Sequence, residues 1–257
     1  MWDTGLRFEH MEIIYEDSQI LICRKEAGLP VQSGRIGGRD LVSILKNRLW
    51  EQGGEKKEPY LGVVHRLDQP VEGLLAFAKT QKAAAGLSAQ LSDDRMNKRY
   101  QAVVWLTPGA ESRGAYRPGE KYVLENYLLK DHRTNSSVIV SKGTAGVKLS
   151  RLEYEIVERK SWTLTDGAEE KKGELALADI RLETGRHHQI RVQMAGAGMP
   201  LLGDRKYGIV QGAGELALCA DRLQLVHPGT GKKMEFHCKP QGFWFQRFLQ
   251  EGASCPG

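Results

Sequence analysis

The sequence predicts an α+β protein in which a large mixed, mainly antiparallel sheet carries flanking helices. Three observations lead to this prediction: short runs of β-branched and apolar residues recur along the chain, several of them alternate with polar residues, and helix-type spacings lie between them. With 40% hydrophobic and 27% charged residues, the 257-residue chain can bury a core and is not globally disordered. We expect a single domain over residues 1–257.

In the first half of the chain, two helices are predicted between short strands. Apolar residues recur at spacings of three and four over 40–52, and Asp40 is suited to cap that helix. Thr80 is expected to cap a second helix that ends near Leu91. Strands are predicted at 13–15, 19–23, 61–64, 74–78 and 98–106.

In the second half, strands dominate. They are predicted at 138–140, 148–158, 174–183, 216–225 and 233–237. A helix over 189–197 is expected to end at Gly198, with Pro200 just beyond it, and a short helix closes the chain at 242–249. The segment 107–121 is predicted to be a loop or small hairpin, and 167–173 the tip of a longer one.

The composition and the motifs exclude several classes of protein. None of the four cysteines forms a C-x-x-C pair, so free thiols are expected rather than a zinc site. The chain has no apolar leader and no apolar stretch long enough to span a membrane, so we expect a reduced, cytoplasmic protein. No phosphate-loop, dinucleotide or serine-hydrolase fingerprint is present. The net charge of +5 permits binding to a polyanion without proving it.

The segment V-H-R-L-D-Q-P-V-E-G-L at 64–74 places charge inside an apolar run. If it is extended, Arg66 and Asp68 project to the same side with Leu67 opposite. Sheltering a carboxylate is costly unless it is paired. The pattern therefore indicates either a reactive carboxylate or a structural ion pair at a sheet edge. Because the chain has no metal or cofactor fingerprint, Asp68 is the strongest candidate for a nucleophile or base.

The segment T-G-R-H-H-Q-I-R at 184–191 concentrates positive charge where a helix begins. A Thr-Gly turn with Arg186 and Arg191 is typical of a receptor for phosphate or carboxylate. An exposed basic helix start would give the same pattern, so both readings stay open. The adjacent His187 and His188 diverge on a strand or a helix, and we expect no metal to bind there.

Two further segments carry polar residues in suggestive positions. In K-R-Y at 98–100, Lys98 and Tyr100 share one face of a strand, which suits base stacking beside phosphate contacts. An ordinary strand tyrosine would look the same. In L-L-G-D-R-K-Y-G at 201–208, glycines bracket Asp204 and Tyr207 and predict a tight loop.

Taken together, these segments resemble one family. H-R-L-D-Q-P-V-E-G-L is similar to the signature of the RluA-type pseudouridine synthases, commonly written H-R-L-D-x-x-T-S-G-L. K-R-Y-Q-A-V-V, E-T-G-R-H-H-Q-I-R and L-A-L-C-A-D-R-L follow in the family's order, and G-L-P-V-Q-S-G resembles its opening loop. The resemblance covers about residues 10–248, which are expected to form the catalytic domain.

The resemblance implies a pseudouridine synthase fold with a central RNA-binding cleft, and conversion of uridine in RNA into its C5-glycoside isomer without cofactor or metal. It makes Asp68 the catalytic carboxylate, with Tyr100 stacked on the flipped base. It pairs Arg191 with Asp68 so that the carboxylate stays ionised and oriented. Ile190 is expected to line the base pocket, and Arg66 to displace the target nucleotide or fill its place.

RNA is the expected partner, and Lys98 and Arg186 are expected to bind it. Ribosomal and transfer RNA, the uridine position and the number of sites are left open by the sequence. We also expect a monomer without the N-terminal S4-type RNA-binding domain of some relatives.

The sequence departs from the family signature at two neighbouring positions, where Val71 and Glu72 replace Thr-Ser. The hydroxyl groups of the family's Thr-Ser pair are interpreted as structural, so we expect this chain to be catalytically active without them. Gln193 also stands where the family often has histidine. A non-catalytic RNA-binding protein of the same fold is the first alternative. An unrelated enzyme for a small anion and a structural protein with a surface Arg–Asp pair are the others.

Overall fold

The computed structural model describes residues 11–34, 38–53, 58–107, 117, 119–166, 169–209 and 214–250. The chain divides into two compact units, and each is described by itself. The first unit consists of Met1–Met96 and Arg222–Cys238, and the second of Asn97–Asp221 and Lys239–Gly257. The expectation that all of the chain folds as one domain stays a prediction.

The first unit holds short strands and two helices. They are β1 (Met11–Glu16), β2 (Ile20–Lys25), α1 (Leu41–Gly53), β3 (Gly62–Val63), β4 (Glu72–Ala78), α2 (Gln81–Ser92), the end of β10 (Leu218–Val226) and β11 (Lys233–His237). Strand β1 pairs with β2, β2 with β4, β3 with β4, and β10 with β11, all in antiparallel register.

Both helices of the first unit begin where the sequence predicts. The Asp40 carboxylate accepts a hydrogen bond of 2.7 Å from the backbone N–H of Ser43, and Thr80 Oγ1 accepts one of 3.1 Å from that of Ala83. Each cap satisfies an N–H that has no partner inside its helix. Helix α2 packs its apolar face onto the strands, and the buried cluster consists of Ile20, Ile22, Leu74, Ala76, Ala78, Ala83, Leu87, Met96, Leu223, Leu225 and Phe236.

The second unit holds five complete strands and two helices among its described residues: β5 (Asn97–Leu106), β6 (Lys121–Asp131), β7 (Ser136–Val140), β8 (Lys148–Asp166), β9 (Glu169–Leu182), α3 (Gln189–Gly196) and α4 (Phe243–Gln250). The strands form an antiparallel sheet in the order β5-β9-β8-β6-β7. Helix α3 ends as predicted, with Gly198 at a φ of +83°.

Three sequence expectations need correction in this unit. Strand β6 is not among the predicted strands, although alternate residues from Tyr122 to Leu128 are less exposed than the residues between Lys121 and Glu125 that separate them. Strands β8 and β9 are longer than predicted, and residues 169–173, expected in a hairpin tip, pair with β8. Residues 169–173 can be charged because their backbone pairs with β8, and this pairing does not involve their side chains. Most of the predicted loop 107–121 lies outside the described residues.

The architecture agrees with the predicted class: the pairings named above are antiparallel, and helices accompany the strands. Among the residues that the structure describes, no helix is both long and apolar enough to cross a membrane.

The turn at Gly203 brings two backbone segments of the second unit into close contact. Leu202 donates to the carbonyl of Val103 at 3.0 Å and accepts from the N–H of Ala217 at 2.9 Å. Gly203 itself has a φ of +69°, and a Cβ there would overlap the carbonyl oxygen of Glu215. Only glycine fits a position with both restrictions.

We expect Gly203→Ala to lower the free energy of unfolding by about 2–5 kcal/mol, because strain at positive φ costs roughly 1–2 kcal/mol and overpacking roughly 1–3 kcal/mol. Gly119→Ala is the matched control: its φ is +83°, but a Cβ would meet no described atom within 4 Å. Urea denaturation would measure both variants. If both variants lost the same free energy of unfolding, the explanation by steric overlap at Gly203 would be contradicted.

Candidate active site

The predicted catalytic carboxylate, Asp68, lies in an irregular segment between β3 and β4 of the first unit. Leu67 is buried, Asp68 is half-buried, and Arg66 is exposed. The backbone N–H of Val71 donates to the carbonyl of Asp68 at 3.0 Å and closes a turn. The sequence prediction that Leu67 faces opposite to its two charged neighbours agrees with this burial.

Gln69 ties this turn to the loop that follows β2. Its carbonyl oxygen accepts from the backbone N–H of Gly28 at 2.9 Å and from Lys25 Nζ at 3.0 Å, and its side-chain amide donates to the carbonyl of Gly28 at 2.9 Å. Gly28 has a φ of +87°, which favours glycine in this loop. Three hydrogen bonds therefore fix the residue that follows Asp68.

His65, at the start of the segment, is also held by the sheet. Its Nε2 accepts a hydrogen bond of 3.0 Å from the backbone N–H of Ala76 in β4. An imidazole nitrogen that accepts from an N–H carries no proton, so the proton of the neutral ring is on Nδ1. His65 thus has a structural role at the beginning of the turn that carries Asp68.

A buried lysine, which the sequence patterns do not predict as a site residue, lies beside this turn. Lys25 ends β2 with no exposed surface, and its ammonium group donates to the carbonyls of Glu26 at 2.9 Å and Gln69 at 3.0 Å. Burial lowers the pKa of Lys25 to about 8, against the opposing effect of the Asp68 carboxylate. The available signal was a lysine that closely follows the apolar run I-L-I-C, in the strand I-L-I-C-R-K.

The unusual glutamate of the signature segment is buried and paired. Glu72 accepts a hydrogen bond of 3.2 Å from Arg24 Nη2, and both side chains are almost wholly buried. Glu72 therefore does not extend a free carboxylate into solvent, as a glutamate at a cleft rim would. Arg24, its partner on β2, is not predicted by any of the motifs.

In the second unit, Tyr100 and Lys98 project from β5, and Tyr100 is buried opposite Ile180 of β9. The Lys98 ammonium group lies 3.8 Å from the position that a Cβ on Gly185 would occupy. The next residue, Arg186, is exposed, and its Nε donates to the carbonyl of Leu149 at 3.0 Å. The structure thus places the two residues predicted to bind RNA at the same turn.

The turn before α3 is closed by Gln189 rather than left open for an anion. Its side-chain oxygen accepts from the backbone N–H of Arg186 at 3.0 Å and from Thr184 Oγ1 at 2.8 Å. The side-chain amide donates to the carbonyl of Arg151 at 3.1 Å. Because Gln189 occupies the Arg186 amide, that amide is not available to a phosphate, and the guanidinium side chain is the exposed cationic group.

Ile190 and Arg191 are both buried on α3. The guanidinium of Arg191 binds Asp204 through two parallel hydrogen bonds, Nε to Oδ2 at 2.8 Å and Nη2 to Oδ1 at 2.7 Å. The Cζ atom of the Arg191 guanidinium lies 5.3 Å from the ring centre of Tyr207. Asp204 also accepts from the backbone N–H groups of Lys206 and Tyr207 at 2.8 and 3.1 Å. The loop 201–208 therefore fixes this arginine.

The ionisation of Asp204 follows from these contacts. Burial works against its negative charge, but the hydrogen bonds and charge of Arg191 hold the pKa of the carboxyl below its ordinary value. A buried ion pair with complete hydrogen bonding fixes geometry more than it adds stability. The tight loop at 201–208 was predicted, whereas the role of Asp204 as a partner of Arg191 was not.

The adjacent histidines form a neutral, stacked pair. Their ring centres are 3.8 Å apart, and His188 Nδ1 is hydrogen-bonded to the Tyr207 hydroxyl at 3.0 Å, which also accepts from the Ser137 N–H at 2.7 Å. Burial, with nearby cations, lowers the pKa of His187 to about 4 and that of His188 to about 3. The positive charge of this segment near neutral pH thus comes from its arginines.

Asp68 and Arg66 belong to the first unit, whereas Tyr100, Ile190, Arg191, Lys98 and Arg186 belong to the second. The predicted pairing of Arg191 with Asp68 stays a prediction. Among the described residues, no group of three His, Cys, Asp or Glu side chains could hold a metal ion.

The sequence profile of the family described as RNA pseudouridylate synthase matches residues 19–196, which include the Asp68 turn, β5 and the whole of α3. The chain belongs to this family. Pseudouridine synthases are isomerases that convert uridine in RNA into pseudouridine, and the RluA-type resemblance of the motifs is confirmed.

Curated relatives of this pseudouridine synthase share about a third of its residues. The ribosomal large subunit pseudouridine synthase D of Zymomonas mobilis is 31% identical over 238 residues, with 88% of this chain and 68% of the relative covered. The protein of the same name from Pseudomonas aeruginosa is 31% identical over 261 residues, with 94% and 72% covered.

Solved structures confirm the predicted fold class. Human RNA pseudouridylate synthase domain containing 4 has a TM-score of 0.68 at 20% identity, with 93% of this chain and 91% of that chain covered. Human RNA pseudouridylate synthase domain containing 1 has a TM-score of 0.66 at 18% identity, with 97% of each chain covered.

We expect Asp204→Asn to lower the free energy of unfolding by about 3 kcal/mol or more at neutral pH, because it removes the negative charge that binds the buried Arg191. A depressed carboxyl pKa stabilises the fold above the pKa of the unfolded chain, and this stabilisation is lost as pH falls through the folded value. The difference between parent and variant should therefore narrow in acid.

Urea denaturation at several pH values would measure the effect of Asp204→Asn. Glu51→Gln, which changes an exposed carboxylate on α1, is the control and should cost much less. A difference between parent and Asp204→Asn that stays constant down to acid pH would contradict the assigned role of the ion pair.

Proposed function

We propose that this chain isomerises specific uridines of structured RNA to pseudouridine, with Asp68 as the catalytic carboxylate. The observation that supports it best is the Asp68 turn itself, which carries the family signature and is fixed by Gln69 and Lys25. A reactive group must be held in place by its surroundings before it can orient a substrate atom. The relatives' names favour ribosomal RNA, with transfer RNA as the second possibility.

The reaction needs three events at one nucleotide. The bond between N1 and C1′ breaks, the uracil rotates, and C5 bonds to C1′ before losing its proton to the surroundings, while N1 gains one. Substrate and product are isomers with the same atoms and the same oxidation state, so the reaction requires no redox cofactor. Asp68 acts by attacking C1′, by attacking C6 or by removing a ribose proton.

The remaining site residues are assigned by their family positions. Tyr100 stacks on the flipped uracil and assists loss of the C5 proton, and Ile190 lines the base pocket. Arg191, whose Nε and Nη2 bind Asp204, keeps Asp68 ionised through its positive charge. Arg66, which is exposed, takes the place of the displaced nucleotide. Extruding the base costs about a few kcal/mol, which RNA contacts must offset.

The chain offers two cations for the RNA backbone, the half-buried Lys98 and the exposed Arg186. Lys98 and Arg186 lie together at the turn that leads to α3, and the surrounding histidines are neutral. Phosphate contacts made by lysine and arginine release counterions and weaken as salt rises. RNA binding should therefore be electrostatic and separable from the Asp68 chemistry.

We expect Asp68→Asn to reduce tritium release from RNA labelled at uridine C5 by at least about 100-fold, because the amide can act neither as nucleophile nor as base. The assay uses purified protein with ribosomal and transfer RNA transcripts. Asp94→Asn is the matched control: Asp94 is exposed, and asparagine tolerates its φ of 57° equally well. Equal loss in both variants would refute a specific role for Asp68.

A second candidate function follows from Val71 and Glu72, which replace the Thr-Ser of the signature. These residues favour a non-catalytic RNA-binding protein of the same fold if the hydroxyl groups are needed for the reaction. Tight binding of RNA without tritium release from any ribosomal or transfer RNA would establish that candidate and exclude the isomerase.

We expect Lys98→Gln and Arg186→Gln each to weaken RNA binding and to reduce the slope of log K against log salt by about one. Filter binding at increasing potassium chloride would measure the slope. Lys82→Gln, which changes an exposed lysine on α2, is the control and should leave the slope unchanged. A salt-independent binding constant for the parent would contradict electrostatic binding.

A further inference from the structure

Several cations of the second unit lie around His187, in the turn before α3. Lys130 lies near the end of β6, His132 follows in the turn to β7, and Lys206 belongs to the loop 201–208. All three side chains are exposed, and the charges of all three act on His187. Like charges held together repel one another, and an anion that binds among them relieves this repulsion. The cluster therefore indicates a binding site for an anion.

Hydrogen bonds join the β6–β7 turn to the loop 201–208. Lys206 Nζ donates to the backbone carbonyls of Thr134 at 2.9 Å and Asn135 at 2.7 Å. The Tyr207 hydroxyl accepts from the backbone N–H of Ser137 at 2.7 Å. Both carbonyls are uncharged, so their bonds hold Lys206 in place and leave its positive charge unbalanced.

Two carboxylates belong to the same region. Asp204 is bound by Arg191 through two hydrogen bonds, so that its charge is balanced. Asp131 accepts from the backbone N–H of Arg133 and from the Thr134 hydroxyl, both at 2.8 Å, and thereby closes the turn. The exposed cations of the turn and the loop outnumber Asp131, so an excess of positive charge remains.

The ring of His187 is fixed with one nitrogen ready to take a proton. Ser137 Oγ donates its single proton to the backbone carbonyl of His187 at 2.8 Å. It must therefore accept from His187 Nδ1, which lies 3.0 Å away. The proton of the neutral ring is thus on Nδ1, and Nε2 is the nitrogen that can gain another.

In the free protein these surroundings keep His187 neutral. Burial lowers the pKa of His187 to about 4, and the charges of Lys130, Lys206, Arg191 and His132 act in the same direction. A phosphate beside the ring would act in the opposite direction, because an opposite charge within about 4–6 Å favours the protonated form. His187 can therefore change its charge when an anion binds, whereas a lysine is already charged near neutral pH.

We propose that a phosphate of the RNA backbone binds between the β6–β7 turn and the loop 201–208, and that His187 Nε2 takes up a proton from solvent as it binds. This inference rests on the proposed function, because it takes RNA as the substrate, and it adds a binding site and a proton exchange. Arg186, already assigned to the RNA backbone, precedes His187 in the chain. One RNA strand can therefore contact both.

The proton exchange gives RNA binding a defined pH dependence. A group whose pKa is raised by binding strengthens the complex below the bound value, and this gain is lost as pH rises through that value. Affinity for RNA should therefore increase as pH falls from about 7 and level off near 4, where His187 of the free protein is also protonated. The titratable and charged groups that face His187 are Lys130, His132, His188, Arg191 and Lys206.

The first experiment measures the dissociation constant of a fluorescent oligouridylate by anisotropy at about pH 7 and about pH 5, at constant salt. Uridine carries no group that titrates in this range, so the pH dependence comes from the protein. The parent should gain at least about threefold more affinity on acidification than His187→Gln, which cannot take up the proton. The same difference is expected in a His132→Gln background, which removes the other titratable imidazole on the exposed turn.

His237→Gln is the matched control, since it changes an exposed histidine on β11 of the first unit, and it should behave as the parent. Circular dichroism at both pH values establishes that each variant is folded. Equal gains in affinity by the parent and by folded His187→Gln would overturn the proposal.

A second measurement needs no substitution of His187 and decides the question if His187→Gln does not fold. In protein labelled with ¹³C and ¹⁵N, the His187 ring is assigned through its backbone resonances and titrated with pH. Its midpoint should lie near 4 in the free protein and at about 5 or higher with saturating oligouridylate. Sodium sulfate at equal ionic strength is the control for a free anion. An unchanged midpoint with oligouridylate, or an equal rise with sulfate, would contradict a site for RNA phosphate.

Lys130→Gln tests whether the cations and His187 form one site. In the free protein it should raise the midpoint of His187, because it removes a charge that lowers this pKa. It should also weaken oligouridylate binding and reduce the slope of log K against log salt by about one. Lys233→Gln, on β11, is the control and should do neither. A raised midpoint with unchanged binding and salt slope would exclude Lys130 from the site and overturn the proposed location.

Failure of this inference and failure of the proposed function are distinguishable. Absence of tritium release by the parent on every RNA tested would refute the isomerase, while the titration of His187 with oligouridylate would still decide whether the cluster binds RNA. Tritium release by the parent, with no response of His187 to oligouridylate, would refute the phosphate site and leave the isomerase standing.

Discussion

The cost of keeping charged groups out of water governs the arrangement of both units. A buried ion is stable only where hydrogen bonds and an opposite charge replace its hydration. In the second unit, Arg191 and Asp204 meet this condition through two parallel hydrogen bonds. In the first, Glu72 meets it through Arg24, and Lys25 through two carbonyls and the charge of Asp68. The sheets supply the fixed frame on which these partners meet.

The Asp68 turn illustrates how an irregular segment gains rigidity from its neighbours. It contains no regular hydrogen-bonded ladder, yet His65, Gln69 and Val71 each make a defined bond to strand, loop or turn backbone. Catalytic groups are often carried on such loops because a rigid scaffold fixes both ends. Here the loop after β2 contributes as much as the strands, through Gly28 and Lys25.

Binding and chemistry rely on different kinds of charge. Lys98 and Arg186 can attract the phosphate backbone of RNA, and dissolved salt shortens the range of this attraction. Lys25 and Arg191 are buried, so salt screens their charges much less. The neutral histidines before α3 keep additional charge away from Arg191. Salt should therefore alter affinity for RNA more than it alters the rate of the chemical step.

The sequence by itself determined the α+β class, most strands, the helix starts at Asp40 and Thr80, and the family to which Asp68, Tyr100 and Arg191 point. These features depend on local spacing, caps and ordered motifs. It did not determine the strand at 121–131 or the burial of Lys25. It also did not determine which partners form the ion pairs Arg24–Glu72 and Arg191–Asp204. Arg24 and Glu72 are 48 residues apart in the chain. Such partners are chosen only when strands pair and burial removes the competing water, so only the tertiary structure decided them.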